Sequence, residues 1–214
     1  AKDVVSVIGK ASDANQFFRQ VGIVTNQVKS LMIVGGSPIA FYLAKMMISS
    51  GVRVKIVEKN MKRCEALCDL LPKATIVYGD GTDKDLLLEE GIDRYESFAA
   101  LIDEENILLS LYARKTGEKK LITKINRIAF DEVIRELDLD TVVYPKNITA
   151  EHIIRYVRSM KNSLGSNVET LHKILGGKAE ALEFVVRGKS KVLGIPLHEL
   201  SIKDGVLIAG IARG

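Results

Sequence analysis

Cysteine is nearly missing from this 214-residue chain, and the two present, Cys64 and Cys68, stand four residues apart. That is neither a redox C-x-x-C nor a zinc-knuckle spacing, and it reads as packing on one helix. Histidine is as scarce. His152, His172 and His198 form no H-x-x-x-H pair, which argues against a metal site. Long apolar runs are lacking too: Ile39 to Ile48 is broken by Lys45 and is too short to cross a bilayer. The net charge of +4 is spread over interspersed acids and bases with no basic block, so nucleic acid is not an expected partner. The opening Ala1-Lys2-Asp3 carries no signal-peptide pattern, and a cytoplasmic setting is expected. Only 69 residues follow Pro145, and they hold no His–Asp or Lys–Tyr pair of the kind that moves a proton at a nicotinamide. An enzyme is therefore not expected.

What the chain does have is concentrated in residues 31–58. Leu31-Met32-Ile33-Val34 is a buried-strand pattern that runs into Gly35-Gly36-Ser37-Pro38-Ile39-Ala40. An apolar helix follows, then the strand Val52 to Val57, ending at Glu58. A strand–glycine turn–helix places backbone N–H groups and a helix N-terminus beside phosphates. Glu58, 23 residues after Gly35, is placed to hold a ribose diol, and a carboxylate there favours NAD over NADP by like-charge repulsion. Lys59 and Arg63 partly offset that repulsion.

Strands and helices then alternate. A helix over Lys62–Leu71 stops at Pro72, and the strand Ala74–Val77 ends at Gly79-Asp80-Gly81-Thr82. A Leu86-Leu87-Leu88 helix is closed by Gly91. Ser97–Ile102 and Lys120–Ile125 read as strands around a helix at Glu104–Lys115. Phe130, Val133, Ile134 and Leu137 share one helical face, and Thr141–Tyr144 is a sixth strand ended by Pro145. Six strands with intervening helices predict an α/β, Rossmann-like, doubly wound parallel sheet. A further helix carries the stripe Ile153, Ile154, Val157 and Met160 and runs into the hinge-like Asn162 to Ser166. Two strand-like segments, Leu182–Val186 and Val206–Ala212, suggest a partial small α+β lobe that ends just after a strand. Ahead of the main unit, Val4–Gly9 reads as a lone strand, and Ser12 as the cap of a helix over Asp13–Gln20 that Gly22 ends.

Taken together, Met32-Ile33-Val34-Gly35-Gly36, Val57-Glu58-Lys59-Asn60, Gly79-Asp80-Gly81-Thr82, Gly91-Ile92-Asp93, Asp103-Glu104-Glu105-Asn106-Ile107 and Tyr144-Pro145 resemble the regulatory subunit of Trk-type bacterial potassium uptake systems, built from RCK (KTN) units. The resemblance implies residues 1–29 as the tail of a preceding small lobe or a linker, and 30–148 as the Rossmann nucleotide-binding lobe. It implies 149–164 as a crossover helix and hinge, and 165–214 as the start of the C-terminal lobe. The family's G-x-G-x-x-G has Ser37 at its second glycine and Ala40 at its third. Ser37 brings a Cβ toward the pyrophosphate, and Pro38 removes one N–H. The segment Ala100–Asp103 is also shorter than the family's.

The implied function is a cytoplasmic nucleotide-sensing regulatory subunit at the inner face of the cell membrane. It would gate a TrkH-like membrane potassium transporter as a homodimer or higher RCK ring. NAD(H) is the expected cofactor, with ATP, ADP or AMP as other candidates. The expected binding set is Gly35, Gly36, Ser37, Pro38, Ile39, Glu58, Lys59, Asp80, Gly81 and Asn106. Structural readings stay open beside it. Any doubly wound fold needs a tight turn, Glu58 can be a solvated strand end, Asp80 can cap the helix near Asp83, and Asn106 can serve its own helix start. The alternative functions are a scaffold with a degenerate nucleotide site and an NAD-dependent oxidoreductase.

Overall fold

A continuous apolar run has one home in an α/β protein, the centre of a parallel sheet covered on both faces. In the computed structural model, β1 (Ser30–Val34) takes that place, and Leu31, Met32, Ile33 and Val34 are fully buried. The structure describes residues 11–22, 27–103, 105–117, 119–126, 131–137, 139–162, 168–174, 179–184, 186, 190 and 192–211. The remaining strands of the sheet are β2 (Arg53–Glu58), β3 (Thr75–Tyr78), β4 (Ser97–Ala100), β5 (Lys120–Lys124) and β6 (Thr141–Val143). All are parallel, in the order β3-β2-β1-β4-β5-β6, as expected of the doubly wound class.

Helices α2 (Pro38–Ser49), α3 (Met61–Leu70), α4 (Lys84–Glu89), α5 (Asn106–Lys115) and α6 (Asp131–Glu136) connect the strands, and α1 (Ala11–Gln20) precedes them. The alternation of side chains along β1 divides the core. Leu31 and Ile33 join Ala40, Ala44 and Leu67 on the α2–α3 face. Met32 and Val34 join Leu87, Phe98, Leu109 and Ala113 on the α4–α5 face. Ala40 and Ala44 are buried without residue, so their small side chains let α2 lie close to the sheet. The helix ends in a Schellman arrangement. Gly51, at φ 81°, donates to Ile48 at 3.0 Å, and Val52 donates to Met47 at 3.0 Å.

Several expectations are corrected. Ser12 lies inside α1, which begins at Ala11, and so is not its cap. Pro145 does not merely end a strand; it is the first residue of α7 (Pro145–Asn162), where its missing N–H leaves no helical bond unmade. On α6, Ile134 is buried and Leu137 half-buried, but Val133 is exposed, and Phe130 lies outside the described residues. The first strand-like segment of the C-terminal part is β8 (Ala179–Phe184), paired antiparallel with an unforeseen β7 (Val168–Ile174). Residues 206–211 form no strand; Leu207 is 88% exposed, and an apolar run without a neighbouring strand gains no ladder. The Val4–Gly9 strand and Ser163–Ser166 of the hinge lie outside the described residues. The chain divides into two compact units, 26–150 and 1–25 with 151–214. Among the described residues, no helix is long and apolar enough to cross a membrane.

Candidate nucleotide site

The order of the sheet reverses between β1 and β4, and the loops leaving their carboxyl ends diverge there, which is where open α/β sheets take ligands. Gly35 opens the β1 loop. Its amide donates to Val57 O at 2.8 Å, so it prolongs the ladder, and its φ of 99° suits glycine. A Cβ on Gly35 would stand 2.8 Å from Ile102 Cγ2, because the β4 loop presses against this turn. A Cβ on Gly36 would stand 2.8 Å from Leu67 Cδ1 and 2.9 Å from Glu58 Oε2. Gly35 is held to glycine by its φ and by the backbone of the β4 loop, whereas a side chain at Gly36 would displace the ends of Leu67 and Glu58.

Glu58 is the hub of a closed ring of hydrogen bonds. Its Oε2 accepts from the Gly36 amide at 2.5 Å, and its Oε1 accepts from the Asn60 amide at 2.7 Å. Asn60 caps α3 by accepting from the Arg63 amide at 3.0 Å. Arg63 Nε then returns to Gly36 O at 2.5 Å. The ring ties the glycine turn to the β2–α3 junction. A carboxylate offers roughly four acceptor sites, so the two amides leave capacity on Glu58 for a diol. Sequence reasoning weighed Arg63 only as a nearby charge. The signal for its structural part was its position one helical turn after the Asn60 cap.

Ser37 caps α2, its Oγ accepting from the Ala40 amide at 3.3 Å, and Pro38 takes the first helical position. Ile39 follows in the same turn and is exposed. With Gly36 and Ala40 engaged and Pro38 lacking a proton, the amides of Ser37 and Ile39 are the donors of this turn that hold no partner among the described residues.

Asp80 does not cap the next helix. Asp83 does so, its Oδ1 accepting from the Asp85 amide at 2.9 Å. Asp80 Oδ1 instead accepts from the Thr82 amide at 2.9 Å and the Thr82 hydroxyl at 2.8 Å, and these bonds hold its carboxyl below the usual range. Gly81 is buried, and a Cβ there would collide with Val34 Cγ1. Its smallness lets the β3 loop lie on the end of β1.

On the β4 side, Asp103 Oδ1 accepts from Lys124 Nζ at 3.3 Å and Asn126 Nδ2 at 2.8 Å. The Lys124 bond and charge, then the Asn126 bond, depress the Asp103 carboxyl. The charge of Lys59 adds a smaller downward pull on both Asp80 and Asp103. Lys124 and Asp103 were not among the expected site residues. A lysine at the end of a buried strand, with Asp103 in the loop after β4, was the available hint.

Asn106, at the first position of α5, is 1% exposed. Its Nδ2 spans Ile102 O at 3.0 Å and Lys124 O at 2.9 Å, bracing the floor of the cleft, while its Oδ1 is buried without a partner. Two carbonyl neighbours demand the NH2 group, which fixes the orientation of the amide. In this state Asn106 positions the β4 and β5 loops and offers a ligand almost no surface. Among the described residues, no group of three or more His, Cys, Asp or Glu is arranged to hold a metal ion.

Residues 31–145 match the family model of the TrkA-N domain. Over 188 residues, 87% of this chain, the sequence is 35% identical to the Trk system potassium uptake protein TrkA of Haemophilus influenzae and spans 40% of that protein. The chain spans about half the length of the curated relatives it matches. Among solved structures, the TrkA-N domain of the inner membrane protein ybaL from Escherichia coli superposes with a TM-score of 0.54 at 14% identity, covering 62% of this chain and 99% of that one. The GsuK channel bound to NAD gives 0.50 at 20% identity, covering 76% of this chain and 29% of that one.

Proposed function

The chain belongs to the TrkA-N domain family, and from that premise we propose that it is a cytoplasmic nucleotide-sensing regulatory module that gates a membrane potassium transporter. The observation that carries this reading is the Glu58 ring. A carboxylate with spare acceptor capacity is held against a glycine turn whose Ser37 and Ile39 amides have no partner among the described residues, at the switch point of the sheet. Ribose on Glu58 and phosphate on those amides and the α2 N-terminus is the natural occupancy. NAD(H) fits the carboxylate, and the GsuK channel of similar fold is described bound to NAD. ATP, ADP and AMP share the adenosine and phosphate parts and compete for the same loops.

A sensor needs different affinity for two arrangements of its assembly and needs no catalytic group. Binding reorders the β2 and β3 loops around Glu58, Lys59 and Asp80. An α7-mediated homodimer or larger ring passes the change to the transporter at the inner membrane face. The named relative in Haemophilus influenzae, a potassium uptake protein, supports this partner class.

The scaffold reading rests on one specific feature: Gly36 N is already taken by Glu58, Ala40 N by Ser37, and Pro38 has no N–H. A pocket reduced to two donors can be vestigial. Isothermal titration of the full chain with NAD, NADH, ATP, ADP and AMP separates the two. Saturable heat with at least one nucleotide supports the sensor, and none at millimolar concentration supports the scaffold.

A further inference from the structure

At the opposite edge of the same sheet, the amino ends of β1 and β2, the end of α4 and the segment before β4 border a half-open pocket of about 390 Å³ lined by Ser30, Arg53, Lys55, Glu90, Arg94 and Tyr95. The volume falls within the range of about 300–1,000 Å³ usual for small-molecule sites. Its lining mixes polar and apolar surface and carries three cations, Arg53, Lys55 and Arg94, against one carboxylate, Glu90. Lys55 and Glu90 neutralise each other at 2.7 Å, and Lys55 also donates to Glu90 O at 2.9 Å and lies 5.7 Å from the Tyr95 ring centroid. That leaves Arg53 and Arg94. Among the described residues neither guanidinium makes an ion pair. The nearby Glu96 carboxylate is engaged by the Lys29 amide at 2.6 Å.

Arg94 is seated by the backbone beneath it. Gly91 has φ 80°, and a Cβ there would stand 2.5 Å from Arg94 Nη2 and 2.6 Å from its Nε. The glycine that ends α4 thus also lets the guanidinium lie flat on the chain. Ser30 is 2% exposed, and its Oγ accepts from the Glu96 amide at 3.1 Å, so the hydroxyl keeps its own proton for another acceptor.

We propose that this cavity is an anion site for a small oxyanion of the phosphate class, bound between Arg53 and Arg94 and independent of the glycine turn. A planar guanidinium fork matches phosphate oxygens bidentately, and two arginines lining one pocket suit a doubly charged group better than a monoanion. Lys55, already paired, sets the floor of the site and does not compete for the ligand.

The test titrates the full chain with inorganic phosphate and, separately, with the monoester glycerol 3-phosphate, at constant ionic strength in chloride. Wild type, Arg53→Gln and Arg94→Gln are compared by calorimetry and by the ligand-dependent rise in melting temperature. Arg53 and Arg94 are exposed, so both variants retain the fold. Saturable binding of either probe that weakens tenfold or more in each variant, with any NADH binding unchanged, supports the site. A preference between the probes tells whether free phosphate or an ester is the source. Absence of binding of both probes, or equal affinity in wild type and variants, overturns it.

Discussion

Glu58 ties the glycine turn to the β2–α3 junction through its bonds from the Gly36 and Asn60 amides, and the proposed function gives its remaining acceptor capacity to a ribose. Glu58→Ala should weaken NAD(H) binding by about 1–3 kcal/mol, the scale of lost charge-assisted hydrogen bonds. Titration calorimetry measures this, and unchanged affinity removes Glu58 from the site. Gly35 tests packing without chemistry. Gly35→Ala forces a side chain to φ 99° against Ile102, and urea unfolding should show a loss of about 1–3 kcal/mol. A stable variant would mean that the β4 loop yields more easily than its contacts indicate. Asp103 tests charge. Its carboxyl is depressed by Lys124 and Asn126, so its contribution is present above the ordinary carboxylate range and fades as pH falls through its lower folded value. Asp103→Asn should therefore unfold more easily than wild type near pH 6. The gap should close below about pH 4; a gap that stays constant with pH would assign the loss to packing. At this scale the sequence showed which residues gather but not how they bond. The Glu58–Gly36 and Arg63–Gly36 contacts span 22 and 27 residues, and no local pattern encodes them. Asn106 was legible as a helix-start residue, whereas its grip on Lys124 O depends on β4 and β5 lying side by side.

Among the elements, the strands of the sheet were the most legible, because burial on both faces writes itself as a run such as Leu31–Val34. The β7 strand was not. Val168-Glu169-Thr170-Leu171-His172-Lys173-Ile174 mixes charge and apolar residues, and only antiparallel pairing with β8 makes it a strand. Residues 206–211 show the reverse, an apolar pattern with no ladder to join. Helix α7 is the element to which the proposed function gives a mechanical role. Ile153, Ile154 and Val157 are each about half exposed in the single chain, while the side chain of Met160 lies outside the described residues. An apolar stripe of this kind gains roughly 25 cal/mol per Å² when covered. In the proposed homodimer a second copy would offer the same stripe in return through an isologous contact. Ile154→Asp with Val157→Asp should leave the Rossmann unit folded and shift the protein toward monomer in sedimentation velocity. A variant that remains dimeric would move the interface elsewhere.

For the whole molecule, the six-stranded unit has two distinct edges. The carboxyl edge carries the glycine turn, with Glu58 at the end of β2 and Asp80 and Asp103 on the loops that follow β3 and β4, and the amino edge carries Arg53 and Arg94 at the pocket described above. Amide hydrogen exchange of the full chain, with and without saturating NADH, reads both edges in one experiment. Exchange should slow at residues 35–41 and 58–60, where the Ser37 and Ile39 amides would meet phosphate and the Glu58 ring would close on ribose. Exchange at 92–95 should not change. NADH that protects only residues outside the glycine turn, or none at all, would contradict the claim that this turn is the sensing site.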